Sequence, residues 1–206
     1  MTPNLSSVDL SGKVAAITGG TRGIGAAISV ALKDAGYKVA ANYAGNDEAA
    51  AKFKAETGIP VYKWDVSNYE ACVAGLKQVE ADLGPVEVLV NNAARDDRHA
   101  IESVEPDYWD ERMATNLRHM FFCAQAVAPA MRRAKSGSII NMGSVSWMSG
   151  SGGMPAYTAA KSAVRGLTRG LARDLGADGI RVNELVPGWV FTERQESLWA
   201  APEAVE

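Results

Sequence analysis

The chain has 206 residues, 47% of them hydrophobic and 22% charged, with a net charge of −3. That length suits one α/β domain with a substantial core, and residues 1–206 read as a single unit without linker, internal repeat or low-complexity tract. The charge gives no electrostatic case for nucleic acid, no apolar run approaches membrane-spanning length, and His99 and His119 alone form no ligand cluster for a metal.

Residues 1–10 lack the basic start and apolar core of a secretory signal. The run Val14-Ala-Ala-Ile17 reads as a buried parallel strand, and residues 26–32 read as a helix. Between them lies Thr18-Gly19-Gly20-Thr21-Arg22-Gly23-Ile24-Gly25. Strand, glycine turn and helix together form the context in which glycines admit a pyrophosphate to the backbone and to a helix N-terminus. The spacing differs from G-x-G-x-x-G, and a tight turn of an α/β protein is the plainer alternative. Further strands are expected at residues 39–43, 61–65, 86–91, 138–142 and 180–186, and helices at 48–56, 69–83, 106–133 and 156–175. The alternation predicts an α/β fold, a parallel sheet with helices on both faces and ligands at the carboxyl ends of the strands. Cys72 and Cys123 fall in apolar helical patterns, and two lone thiols fit a reducing, cytoplasmic setting.

Tyr157-Thr-Ala-Ala-Lys161 sets a phenol and an ammonium one helical turn apart. A free Tyr titrates near ~10, and a neighbouring cation favours its phenolate, so the pair offers a tuned proton-transfer residue. Such a spacing alone is common on helix surfaces.

With Ser144 upstream and the Thr-Gly-x-x-x-Gly-x-Gly pattern at residues 18–25, these residues resemble the short-chain dehydrogenase/reductase family over residues 13–192. The resemblance implies a three-layer doubly wound parallel (Rossmann) sheet and NAD(P)-dependent hydride transfer between nicotinamide and a secondary alcohol or carbonyl. It implies that Tyr157 exchanges the proton, Lys161 lowers its pKa and bonds the nicotinamide ribose, and Ser144 orients the substrate. Asn116 is then the helix asparagine that holds a water linking Lys161 to solvent. It carries cofactor contacts onto Gly19, Thr21, Arg22, Gly23, Ile24 and Gly25, Asn42 and Tyr43, Asp65 and Val66, Asn92, Ala93 and Ala94, Tyr157 and Lys161, and Pro187, Gly188, Val190 and Thr192. Ala94 stands where the family usually has glycine. The second strand ends Ala41-Asn42-Tyr43 with no carboxylate, and Arg22 sits in the glycine loop, which favours NADP over NAD. Asp47 or Glu48 remains an alternative partner for the ribose.

Up to Ala93 the chain is similar to acetoacetyl-CoA and ketoacyl carrier-protein reductases. From Asp96 onward it is similar to aldose (xylose or galactose) 1-dehydrogenases. The second half builds most of the pocket in this fold, so the resemblance implies oxidation of an aldose at C1 to a lactone, with ketoacyl reduction as the alternative. Asp97, His99, Ser146, Trp147 and Trp189 join Ser144 and Tyr157 as candidate substrate residues. The Asp96–His99 run can equally be a loop of internal ion pairs, and a Trp can equally be core.

The implied partners are a small-molecule substrate and further copies of the chain, as dimer or tetramer, with no nucleic acid or membrane. Family members continue beyond this point through another helix and a seventh strand. A chain ending at Glu206 is therefore expected to leave the sixth strand as an exposed edge and to lack a surface used in tetramers. A longer product, or a truncated, engineered or chimeric chain that binds nucleotide without activity, is the third reading.

Overall fold

The computed structural model describes residues 10–199. Residues 1–9, most of the segment read for a secretory signal, and 200–206, with the chain end at Glu206, lie outside the described residues.

Six strands form one parallel sheet: β1 Val14–Ile17, β2 Lys38–Tyr43, β3 Val61–Lys63, β4 Val86–Asn91, β5 Gly137–Met142 and β6 Ile180–Leu185. Their spatial order, β3-β2-β1-β4-β5-β6, reverses direction between β1 and β4. That is the doubly wound order, and its crevice opens where the reversal occurs. The third strand stops at Lys63, two residues short of the sequence expectation. Asp65 instead turns the chain by accepting from the Ser67 amide (2.8 Å).

Alternation within the strands assigns two cores. Val14, Ala16, Leu89 and Ile139 face one side and pack against α3 (Tyr69–Leu83) and α5 (His119–Ala134), with Leu171 and Leu175 of α6 (Pro155–Leu175) on the same side. Ala15, Ile17, Val88 and Val90 face the other side, against Ile24, Ile28 and Leu32 of α1 (Gly23–Asp34) and Phe53 of α2 (Asp47–Thr57).

Residues 106–133, expected as one helix, divide into α4 (Pro106–Met113), a π-helical turn (Ala114–Arg118) and α5. The His119 amide reaches back to the Ala114 carbonyl, which widens the backbone there. The widened turn carries Asn116, which is fully buried. A short α7 (Glu193–Trp199), not anticipated from the sequence, follows β6.

Gly75 lets α3 lie against the buried Trp64, because a Cβ there would fall onto the indole. Gly75→Ala is therefore expected to cost about 1–3 kcal/mol through overpacking and to lower Tm by about 2–10 °C, read by calorimetry.

Candidate active site

The glycine turn is held from three directions. Gly19 donates to the Asn42 side chain (3.1 Å) and Gly20 to its carbonyl (2.8 Å), while Ser29 on α1 donates to the Gly20 carbonyl (2.9 Å). Asn92, just past β4, donates to the carbonyls of Thr18 and Gly19 (2.9 and 3.1 Å). The Thr18 hydroxyl accepts from the amides of Asn92 and Ala93 (2.9 and 3.0 Å). Gly19 and Gly23 have φ of +62° and +52°, which L-residues adopt at a cost. At Gly25 a Cβ would strike the Gly19 carbonyl and come within 2.6 Å of the Asn92 amide. The glycines thus keep the turn flat against the sheet edge.

The turn fits an anionic ligand. Helices α2 and α3 are capped by the side chains of Asn46 and Asn68, but α1 has no side-chain cap and no acidic residue in its first turn. Its free N–H groups and positive dipole end remain for a phosphate. Thr192, beyond β6, closes over this turn, since a Cβ on Gly23 would meet its methyl at 3.4 Å. Exposed Arg22 stands at the α1 N-terminus and makes no ion pair among the described residues. The Thr21 side chain is buried within the turn, with Ile24 packed on the α1-side core.

Asn42 takes a different part from the one expected. Beyond accepting from Gly19, its amide donates to the carbonyls of Tyr43 and Trp64 (3.1 and 2.9 Å), so it joins backbone rather than reaching toward a ligand. The Tyr43 hydroxyl donates to Asp47 (3.0 Å), whose carboxylate also pairs with Lys63 (2.8 Å). The Lys63 ammonium, followed by the Tyr43 hydroxyl, outweighs desolvation and holds the Asp47 carboxyl below its ordinary range.

Tyr157 and Lys161 lie on α6, with Ser144 on the loop after β5. The Lys161 ammonium is fully buried, lies 5.6 Å from the centre of the Tyr157 ring and donates to the Met142 carbonyl (2.6 Å). Burial pulls its pKa down to about 8, against the opposing pull of Glu184 and Asp96. Other groups than Lys161 set the Tyr157 phenol in the protein alone. Burial raises the Tyr157 pKa, Asp96 adds to the rise, and the Ser144 hydroxyl and Arg98 work the other way. Helical spacing brings the lysine to the tyrosine, but its side chain runs across the ring toward Met142 rather than to the hydroxyl.

Asn116 binds the Arg95 backbone twice, accepting from its amide (2.8 Å) and donating to its carbonyl (3.0 Å). Its side chain therefore anchors the loop after β4.

That loop departs most from expectation. Asp97, read as a substrate residue, accepts from buried Arg112 (2.6 Å), Arg95 (3.3 Å) and Arg194 (3.0 Å), so both its oxygens are engaged. Arg112 also pairs with Glu111 and lies over the Tyr108 ring at 5.2 Å. Asp96, which the sequence reading left out of the site, accepts from Arg194 (3.1 Å) and Gln195 (2.9 Å) of α7. Burial pushes its carboxyl up, but Gln195 and Arg194 prevail and hold it low. Nothing local in the sequence signals these bonds, which join residues nearly a hundred positions apart.

Of the other substrate candidates, His99 is fixed by its amide to the Gly153 carbonyl (2.8 Å) and by Nδ1 to the Tyr108 hydroxyl (3.0 Å). His99 Nε2, Ser146 Oγ and Trp147 Nε1 are buried without a protein partner. Trp189 is exposed and stacks near Phe191, with ring centres 6.4 Å apart. Pro187 accepts from the Val145 amide (3.2 Å), which ties the loop after β6 to Ser144, while Gly188 and Val190 are exposed. Asp65 and Ala94 are exposed, and Val66 is buried in the α3-side core.

Known proteins share this arrangement. A family model described as "short chain dehydrogenase" matches residues 13–203. The acetoacetyl-CoA reductase of Shinella zoogloeoides is 52% identical over 186 residues, covering 90% of this chain and 77% of that protein. The D-xylose 1-dehydrogenase of Caulobacter vibrioides is 47% identical over 198 residues, covering 94% and 78%. The crystal structure of a putative short-chain alcohol dehydrogenase from Sinorhizobium meliloti 1021 superimposes with a TM-score of 0.84 at 36% identity, covering 96% of this chain and 78% of that one. Both the reversal of strand order at the glycine turn and the match along nearly the whole chain lead to one conclusion: the chain belongs to the short-chain dehydrogenase/reductase family of oxidoreductases.

Proposed function

We propose that this oxidoreductase takes NADP and oxidises an aldose at C1 to the lactone. The observation that carries the sugar reading is a set of buried polar atoms without a partner among the described residues, on the loop that follows Ser144 and on the loop that bonds to it through His99 and Gly153. They are Ser146 Oγ and Trp147 Nε1 on the loop after β5, and His99 Nε2 on the loop after β4. A buried donor or acceptor without a partner costs about 1–3 kcal/mol, and a polyhydroxylated substrate would satisfy all three. Arg95 and Arg194 are spent on Asp96 and Asp97, which leaves less free positive charge for the phosphates of a coenzyme A thioester.

When bound, the oxidised nicotinamide supplies the hydride acceptor and a positive charge beside the phenol. The chain's own residues handle the proton. Ser144 orients the C1 hydroxyl, and Tyr157, as phenolate, takes its proton while the C1 hydride departs, leaving lactone and a neutral phenol. Lys161, with its charge held by Met142 and Glu184, steadies the phenolate across the ring face. In reduction the same proton returns from Tyr157 to the carbonyl oxygen.

The likeness to acetoacetyl-CoA reductases supports a second reading, NADPH-dependent reduction of a 3-ketoacyl thioester. Assays of aldoses with NADP⁺ and of acetoacetyl-CoA with NADPH separate the two: faster aldose oxidation is expected, and thioester reduction alone would sink the sugar reading. In either direction Tyr157→Phe is expected to lower kcat by about 10²–10⁴-fold, measured by cofactor absorbance.

For NADP, the exposed Arg22 is the proposed partner of the 2′-phosphate, because Asp47 is neutralised by Lys63. Arg22→Ala is expected to raise the KM for NADP⁺ about 10- to 100-fold while leaving that for NAD⁺ nearly unchanged in steady-state kinetics.

Two further features belong to this reading. Free Cys72 and Cys123 suit the reducing cytoplasm, and no helix among the described residues is long and apolar enough to cross a membrane. Leu117, Phe121, Phe122, Ala163 and Leu167 line an apolar groove on α5 and α6, proposed as the contact with a second copy in a homo-oligomer. Phe121→Glu is expected to lower the oligomer mass seen by sedimentation while leaving the circular dichroism unchanged.

A further inference from the structure

His99 sits on the loop after β4 and is held from two sides. Its amide donates to the Gly153 carbonyl (2.8 Å), and Arg98 beside it donates to the Gly152 carbonyl (3.1 Å), which joins this loop to the one that follows Ser144. On the other side stand Tyr108 and Arg112, one turn apart on α4. The Tyr108 ring meets the imidazole edge to face, with centres 5.2 Å apart, and Arg112 donates to the Asp97 carboxylate (2.6 Å). The charges of Asp96 and Arg98, on the same stretch, both act on the Tyr157 hydroxyl, so the loop faces the proton-transfer residue.

Two oxygens lie against His99 Nδ1: the Tyr108 hydroxyl at 3.0 Å and the Asp97 backbone carbonyl at 3.2 Å. A hydroxyl can give or take a hydrogen, whereas a carbonyl only accepts. The carbonyl therefore decides the arrangement. Nδ1 carries the hydrogen, because two lone pairs would otherwise face each other across 3.2 Å. In a neutral imidazole a hydrogen on one nitrogen leaves the other bare. Nε2 is then an acceptor, and it is buried without a partner among the described residues. Trp147 Nε1 is buried in the same condition but can only donate. The two nitrogens ask opposite things of a ligand.

We propose that His99 is a specificity-determining residue: held as the Nδ1–H tautomer by the Asp97 carbonyl, it offers Nε2 to a substrate hydroxyl other than the one being oxidised. The inference rests on the sugar reading for the molecule that bears this hydroxyl, and on the geometry alone for the tautomer. A sugar with a hydroxyl at that place gives its hydrogen to Nε2, and one without it leaves the nitrogen buried and bare. The acyl part of an acetoacetyl thioester has no hydroxyl to give.

Ring-¹⁵N NMR of the whole protein reads the tautomer without turnover. Only two histidines contribute, and the signals lost in His99→Gln are those of His99. At a pH of about 8, above the ordinary titration range of imidazole, the hydrogen is expected on Nδ1. A hydrogen found on Nε2 overturns the proposal. In kinetics, the best aldose is compared with its single-deoxy and deoxyfluoro analogues at each carbon other than C1. At one position the wild type is expected to lose about 10- to 100-fold in kcat/KM, and as much for the fluoro analogue, which has no hydrogen to donate. His99→Phe should show that loss on the intact sugar and no further loss on that one analogue, with the other analogues keeping their wild-type ratios. His99→Gln, which can set an amide oxygen at the same point, should recover most of it. Uniform losses across the analogues in His99→Phe, or a fluoro analogue that the wild type takes as well as the sugar, would sink the proposal alone. If the wild type oxidises no aldose, the sugar reading fails and the substrate hydroxyl with it, and the NMR result still decides the tautomer.

Discussion

Where a parallel sheet ends, its backbone groups lose their ladder partners, and here side-chain amides replace them. Asn42 joins the glycine turn to the ends of β2 and β3, Asn92 joins that turn to β4, and Asn116 clasps the loop that follows. Deeper in, Asn91 donates to Asn141 (2.9 Å), which donates to Thr168 on α6 (3.0 Å), so the helix carrying Tyr157 and Lys161 is pinned to β4 and β5. Asn42, Asn116 and Asn141 each both donate and accept, which lets one side chain join two segments at once. The cleft's loops owe their positions to this set of bonds, in which Asn91 Oδ1 alone of these side-chain atoms is left buried without a partner among the described residues.

Against that rigid edge the fold holds one unfavourable charge. An ammonium buried as deeply as Lys161 loses its hydration, and that loss is the main cause of its lowered pKa. Below about pH 8 the folded protein bears the cost of the charged form. Between that point and the lysine's ordinary pKa the unfolded chain binds more protons, so this group's penalty fades as pH rises. The Met142 carbonyl and Glu184 offset part of it, and Gly143 gives Glu184 room, since a Cβ there would fall onto its carboxylate. Stability is thus spent where a standing positive charge is useful beside a phenol.

The strands were legible because short apolar runs between turn residues have few other uses, and the glycine turn was legible because its context is local. Tyr157 and Lys161 were legible as a spacing, but not the path of the lysine across the ring, which depends on where β5 presents the Met142 carbonyl. The π-helical turn was hidden because the two hydrogen bonds its Asn116 makes with Arg95 join segments 21 positions apart. For Asp97 the sequence left two readings open, a substrate contact or internal ion pairs, for a related reason. A carboxylate in a loop of the candidate site looks available until Arg112 and Arg194 arrive from distant helices.

The same ion pairs give the mouth of the cleft an electrical character of its own. Asp96, Asp97 and Glu111 face Arg95, Arg112 and Arg194 in mutual contact, three charges of each sign. Their fields largely cancel within a few ångströms, so little potential reaches into solvent to draw in charged molecules or turn them away. This cluster then adds little long-range pull of either sign, and the discrimination it offers falls to contacts made after arrival.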